Sequence, residues 1–125
     1  MFKLLTLAFA GAAGTISRYL LGGWVHQWFG PKFPFGTMLC YILGCFIIGL
    51  LGTWSDEKSL LNPNTRAALL IGFLGAFTTF SSFTYETWTL IKDSQYFFAG
   101  LNIVLSLCCC FIGLFLGVIL ARLVP

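Results

Sequence analysis

Between Gly75 and Phe83 the chain reads Gly-Ala-Phe-Thr-Thr-Phe-Ser-Ser-Phe, three aromatic rings and four hydroxyls with no charge among them. Hydroxyls can donate and accept hydrogen bonds, and an aromatic ring has an electropositive edge and a negative face. The stretch lies inside a 19-residue uncharged run, Ala67 to Tyr85, long enough to cross a bilayer. An unpaired polar group in hydrocarbon costs several kcal/mol, so Thr78, Thr79, Ser81 and Ser82 beside Gly75 predict a helix broken where it faces protein or water. Broken membrane helices are where ion and substrate sites are built. Phe80 and Phe83, three residues apart, share a helix face. Periodicity alone fits an ordinary packing pair equally well.

Little else in the chain offers chemistry. The acids are Asp56, Glu57, Glu86 and Asp93, and His26 is the one histidine. They form no paired-carboxylate site, and neither a nucleophile motif nor a phosphate loop is present, so an enzyme is not expected. Arg18 and Glu86 are the charges nearest membrane depth. Arg18 is either a side chain that snorkels to an interface or a cation at an anion-collecting vestibule. Of the five cysteines, Cys108, Cys109 and Cys110 are consecutive, so on a helix they point about 100° apart and cannot converge on one metal. With Cys40 and Cys45 they read as small apolar packing residues.

The elements that must hold these groups follow from the spacing of charges. The chain is 58% hydrophobic and 9% charged, with mean hydropathy +0.92. Its 125 residues divide into four apolar spans of a single transmembrane domain, approximately 4–29, 33–54, 64–92 and 94–121. Almost nothing is left for a soluble domain. With four spans, Lys3, Lys58, Arg66 and Arg122 fall on one side and Lys32 and Lys92 on the other. That bias is weak, and a weakly oriented chain can insert both ways and pair antiparallel with itself. Four helices also enclose a pore poorly, so a dimer is expected. Small residues four apart, Ala10/Gly14, Cys40/Gly44, Cys45/Gly49, Gly72/Ala76 and Gly113/Gly117, encode close helix contacts.

In this order the residues resemble the Fluc (CrcB-type) fluoride channels. The likeness runs the full length: Gly11 to Tyr19 in the first span, Phe35-Gly36-Thr37-Met38-Leu39 and Gly44 to Gly49 in the second, and Gly75 to Phe83 as the family's Gly-x-x-Thr-Thr-Phe-Ser-x-Phe signature. The resemblance implies an all-α membrane protein with its third helix broken, assembled as a dual-topology antiparallel homodimer in the bacterial inner membrane. It also implies passive export of fluoride along a pathway using Phe80, Phe83, Thr79, Ser81, Asn102, Ser106 and, further along, Cys110, with Arg18 at the vestibule. Main-chain carbonyls of Gly75 and Thr78 would hold a structural sodium ion (Na+), which suits a hard cation that prefers oxygen ligands.

Where the family carries a pore asparagine, this chain has Tyr41. A phenol keeps one donor, loses the amide and adds a ring, so fluoride passage is expected to be impaired there. Moving a carboxylate-sized ion into a medium of ε about 4 costs of order 20 kcal/mol by the idealised Born estimate, and fluoride is smaller still. Several oriented donors are therefore required. The alternative is a small four-helix proton-coupled multidrug transporter, but its first helix should carry an acid, and here that helix carries Arg18. A noncatalytic membrane assembly subunit is a third reading, favoured only if the protein alone moves nothing.

Overall fold

A computed structural model describes residues 1–124. Four helical spans are long and apolar enough to cross a membrane: Phe2–Phe29, Phe35–Asp56, Pro63–Lys92 and Tyr96–Leu123. The first, second and fourth are continuous helices, here α1 (Phe2–Phe29), α2 (Phe35–Asp56) and α6 (Tyr96–Leu123). Helix α1 ends at Gly30, whose φ of 76° is easy for a residue without a Cβ. Most large apolar side chains, including Leu4, Phe9, Ile16, Leu107 and Phe115, point outward. Such a surface suits lipid, and the chain is a multi-pass membrane protein.

The third span is built in pieces. Asn62 accepts a hydrogen bond from the Thr65 amide and caps a short first turn, α3 (Pro63–Arg66). Residues Ala67–Phe73 then widen into π-helical winding, α4 (Leu74–Phe77) tightens again, and α5 (Phe80–Lys92) resumes beyond a gap. In that gap Thr78 and Thr79 are extended, with φ/ψ of −112°/100° and −108°/122°. The helix therefore breaks inside the hydroxyl-rich stretch.

Small residues set the packing. A Cβ on Gly14 would run into the Phe73 carbonyl, one on Gly49 into that of Leu114 and one on Gly117 into that of Phe46. Backbones thus touch backbones along α1 and the π segment and along α2 and α6. Gly44 leaves room for the Thr78 methyl, which seats the break against the middle of α2.

The ends of the spans gather as a four-helix topology requires. At one end Arg66 pairs with Asp56 at 3.1 Å, Arg122 binds both Glu57 oxygens and Lys58 donates to the Val124 carbonyl. At the other, Phe33 packs within 4.7 Å of Phe35 and 6.2 Å of Phe98, joining the starts of α2 and α6.

Candidate functional site

Every broken helix frees backbone groups, and here the sequence supplies specific partners. The Thr78 amide and the Thr78 hydroxyl both donate to the Leu74 carbonyl, each at 2.9 Å. Arg18 Nε reaches from α1 to donate to the Ala76 carbonyl at 3.3 Å. Among the described residues no backbone amide or side chain donates to the carbonyls of Gly75 or Thr78. With the Phe77 carbonyl, which receives no donor either, they are left over in a membrane interior, where carbonyls are suitable ligands for a hard cation.

Beside the break lies a cavity of about 270 Å³. Tyr41 of α2, Thr78 and Thr79 of the gap, Phe80 and Phe83 of α5, and Ser106, Leu107 and Cys110 of α6 line it. The Phe80 and Phe83 rings lie 5.5 Å apart, tilted by 40°. Tyr41 meets Phe83 nearly edge-on, at 6.4 Å and 81°. The aromatic pair thus belongs to a cavity wall.

The hydroxyl hydrogens at this wall are not equally free. Thr78 donates to Leu74, Thr79 donates to Ser82 Oγ at 2.6 Å, and Ser106 donates to Asn102 Oδ1 at 3.3 Å. Tyr41 differs. Its hydroxyl is buried with no partner, in a side chain only 7% exposed. A buried orphan donor costs about 1–3 kcal/mol, so it belongs where something else accepts from it.

Asn102 does not reach the cavity. It is 1% exposed and donates to Thr87 Oγ1 at 3.0 Å, while Thr87 donates to the Phe83 carbonyl at 2.8 Å. The relay Ser106, Asn102, Thr87 ties α6 to the α5 backbone just where Phe83 is mounted. Asn102 is therefore held between α6 and α5, away from the cavity wall. Ser81 is exposed and lies outside the cavity lining.

Arg18 lines a second hollow of similar volume, with His26, Thr37 and Glu86. Thr37 donates to Glu86 Oε2 at 2.6 Å. Thr37 precedes Tyr41 by one turn on α2, and Glu86 follows Phe83 by nearly one turn on α5, so the hollows are stacked along the same two helices. Nothing in the residue types alone assigns a role to Thr37 or Glu86. The spacings Thr37/Tyr41 and Phe83/Glu86 were the available signal.

The family model described as CrcB-like protein, Camphor Resistance (CrcB), matches residues 5–118, nearly the whole described chain. This chain belongs to the CrcB-like family. Proteins described as fluoride-specific ion channel FluC are similar throughout: one from Geotalea uraniireducens (strain Rf4) is 43% identical over 122 residues, covering 98% of each chain. Those of Geobacter sulfurreducens and Solidesulfovibrio magneticus are 42% and 45% identical over the same share. The multidrug-transporter alternative finds no support in these relatives. Within the CrcB-like frame, the break, the Phe80/Phe83 pair and the Tyr41 phenol occupy one cavity.

Proposed function

We propose that this chain is the subunit of a fluoride-selective channel that lets the anion leave the cell passively. Its relatives are named as fluoride-specific channels, and the cavity at the helix break carries the reading here. A small, strongly hydrated anion needs donors that replace its water without trapping it. The edges of Phe80 and Phe83, with the hydroxyl-bearing residues Tyr41, Thr79 and Ser106 around them, meet that need with no fixed positive charge. Arg18, beside the second hollow, raises the local anion concentration before the narrow section. A membrane potential negative inside favours exit by about 2.3 kcal/mol per charge per 100 mV.

The conducting form is an antiparallel homodimer in the bacterial inner membrane. Phe80 is 72% exposed in a single subunit, so the cavity has an open side that a second copy closes. The carbonyls of Gly75 and Thr78, which accept no amide, hold a structural sodium ion between the two breaks. The ion supplies charge for those carbonyls and fixes the crossing of the broken helices.

Purified protein in liposomes loaded with fluoride tests the channel reading. Fluoride efflux without a proton gradient, with chloride retained, is the expected result. Retention of both ions in a folded preparation sinks it, unless Tyr41→Asn restores flux.

A further inference from the structure

Five free thiols sit on α2 and α6, and the register of those helices brings two of them together. The helices run parallel, with Gly49 opposite Leu114 and Gly117 opposite Phe46. One turn back from Gly49 and Leu114, on both helices, are Cys45 and Cys110. The register therefore sets Cys45 and Cys110 at facing positions across the seam. Another turn back are Tyr41 and Ser106 on the cavity wall, and Cys110 lines that cavity too. Cys108 is exposed, and neither Cys108 nor Cys109 lines the cavity.

We propose that Cys45 and Cys110 form a two-thiolate site for a soft divalent cation of linear coordination, represented by mercuric ion, and that its binding closes the cavity to anions. The metal site stands on the helix register alone, whereas the closure rests on the channel reading. Among the described residues no group of three or more His, Cys, Asp or Glu comes together. Zinc, which takes four ligands, is therefore not served, whereas soft thiolates select soft ions and two suffice for linear geometry.

The chemistry balances without an oxidant. Two S–H bonds break, two S–metal bonds form, and both protons leave to water through the cavity. The divalent ion and two thiolates give a neutral complex, which escapes the large charging cost of an ion at membrane depth. A monovalent soft ion would leave a net negative charge and is held less well. The neutral bridge spans α2 and α6 one turn from Tyr41, in space the anion would otherwise use.

The test uses the full chain in detergent and in liposomes, with mercuric chloride as probe. The parent and the Cys108→Ser/Cys109→Ser variant are expected to retain one mercury per chain through gel filtration with an equimolar monothiol, and to show the ultraviolet sulfur-to-mercury band. Cys45→Ser and Cys110→Ser are each expected to lose both signals. Retention of the ion by these single variants, or its absence from the parent, overturns the site. In liposomes mercuric chloride should abolish fluoride efflux from the Cys108→Ser/Cys109→Ser variant, a dithiol chelator should restore it, and Cys45→Ser should keep its own rate. Bound mercury with undiminished efflux overturns the closure. A chain that retains mercury yet conducts no fluoride beforehand supports the site and counts against the channel reading instead.

Discussion

The Tyr41 hydroxyl and the Tyr41 ring act in opposite directions on a passing anion. The hydroxyl is buried with no acceptor among the described residues, and turned toward the cavity it would donate to the ion. The ring sits edge-on to Phe83 and takes up width. Removing only the oxygen separates the two effects: Tyr41→Phe should lower fluoride flux in liposomes by about 10- to 100-fold, the loss of one hydrogen bond to a charged group at roughly 1.5–3 kcal/mol. Tyr41→Asn keeps donors and removes the ring, and should raise flux with helix content and oligomeric state unchanged. A Tyr41→Asn variant no faster than the parent would mean that position 41 does not narrow the path. The aromatic pair makes a separate claim. Phe80→Ile and Phe83→Ile keep apolar bulk but remove the ring edge, and each should cut fluoride efflux while size-exclusion behaviour stays the same. Parental rates in both would remove the rings from the pathway. The type and spacing of Phe80, Phe83 and the hydroxyls were legible in the sequence. Which hydroxyl keeps a free hydrogen was not, because the acceptors of Thr78 and Ser106 lie one turn back on their own segments and are chosen by side-chain rotamer, which the sequence does not state.

At the scale of elements, the spans were readable because charge is so sparse that each long uncharged run has to be buried in lipid. The break was readable for a related reason: Thr78 and Thr79 can leave a helix in the membrane only where their groups find partners. The π winding of Ala67–Phe73 left no trace in the sequence. Over seven apolar residues, helices of slightly different pitch give the same hydrophobic pattern, so tertiary contacts decide. Here those contacts are Gly72 against Ala10 and the Phe73 carbonyl against Gly14. The spacings Thr37/Tyr41 and Phe83/Glu86 hint at a shared face, but the Thr37 to Glu86 hydrogen bond, across 49 positions, is set by how α2 packs on α5. The α2/α6 seam yields a direct test. Gly49→Ala places a methyl group on the Leu114 carbonyl, and the helices must separate to admit it. A loss of roughly 1–3 kcal/mol is expected, as for other overpacked contacts, read as a lower midpoint in denaturant titration in detergent. Gly52→Ala, on the same helix with open space around it, should leave the midpoint unchanged. Equal effects at the two positions would show that helix propensity, not the seam, is being measured.

The whole molecule turns on orientation. At the end where α2 finishes and α6 ends, Arg66 is matched by Asp56 and Arg122 by Glu57. The hydrogen bonds from Arg122 hold the Glu57 carboxyl below its usual range, so this pairing is present above the ordinary carboxylate pKa and fades only as pH falls through the lowered value. Both groups are solvent-exposed, and the pair contributes little to stability. Its larger consequence is for insertion. Lys3, Lys58, Arg66 and Arg122 at this end face Lys32 and Lys92 at the other, a small difference in the quantity that orients membrane proteins. If the working unit is an antiparallel pair, both orientations have to be made in the same cell from this one sequence. Adding two or three lysines to the connector between Asp56 and Pro63 should commit every copy to one orientation, and fluoride export by whole cells should be lost. The same lysines placed next to Lys32 should commit the chain the other way and also abolish export. Coexpression of the two inactive variants supplies one subunit of each orientation, and export should return. Full export from either variant alone would mean that parallel or single subunits conduct, and the antiparallel dimer would then have to be abandoned.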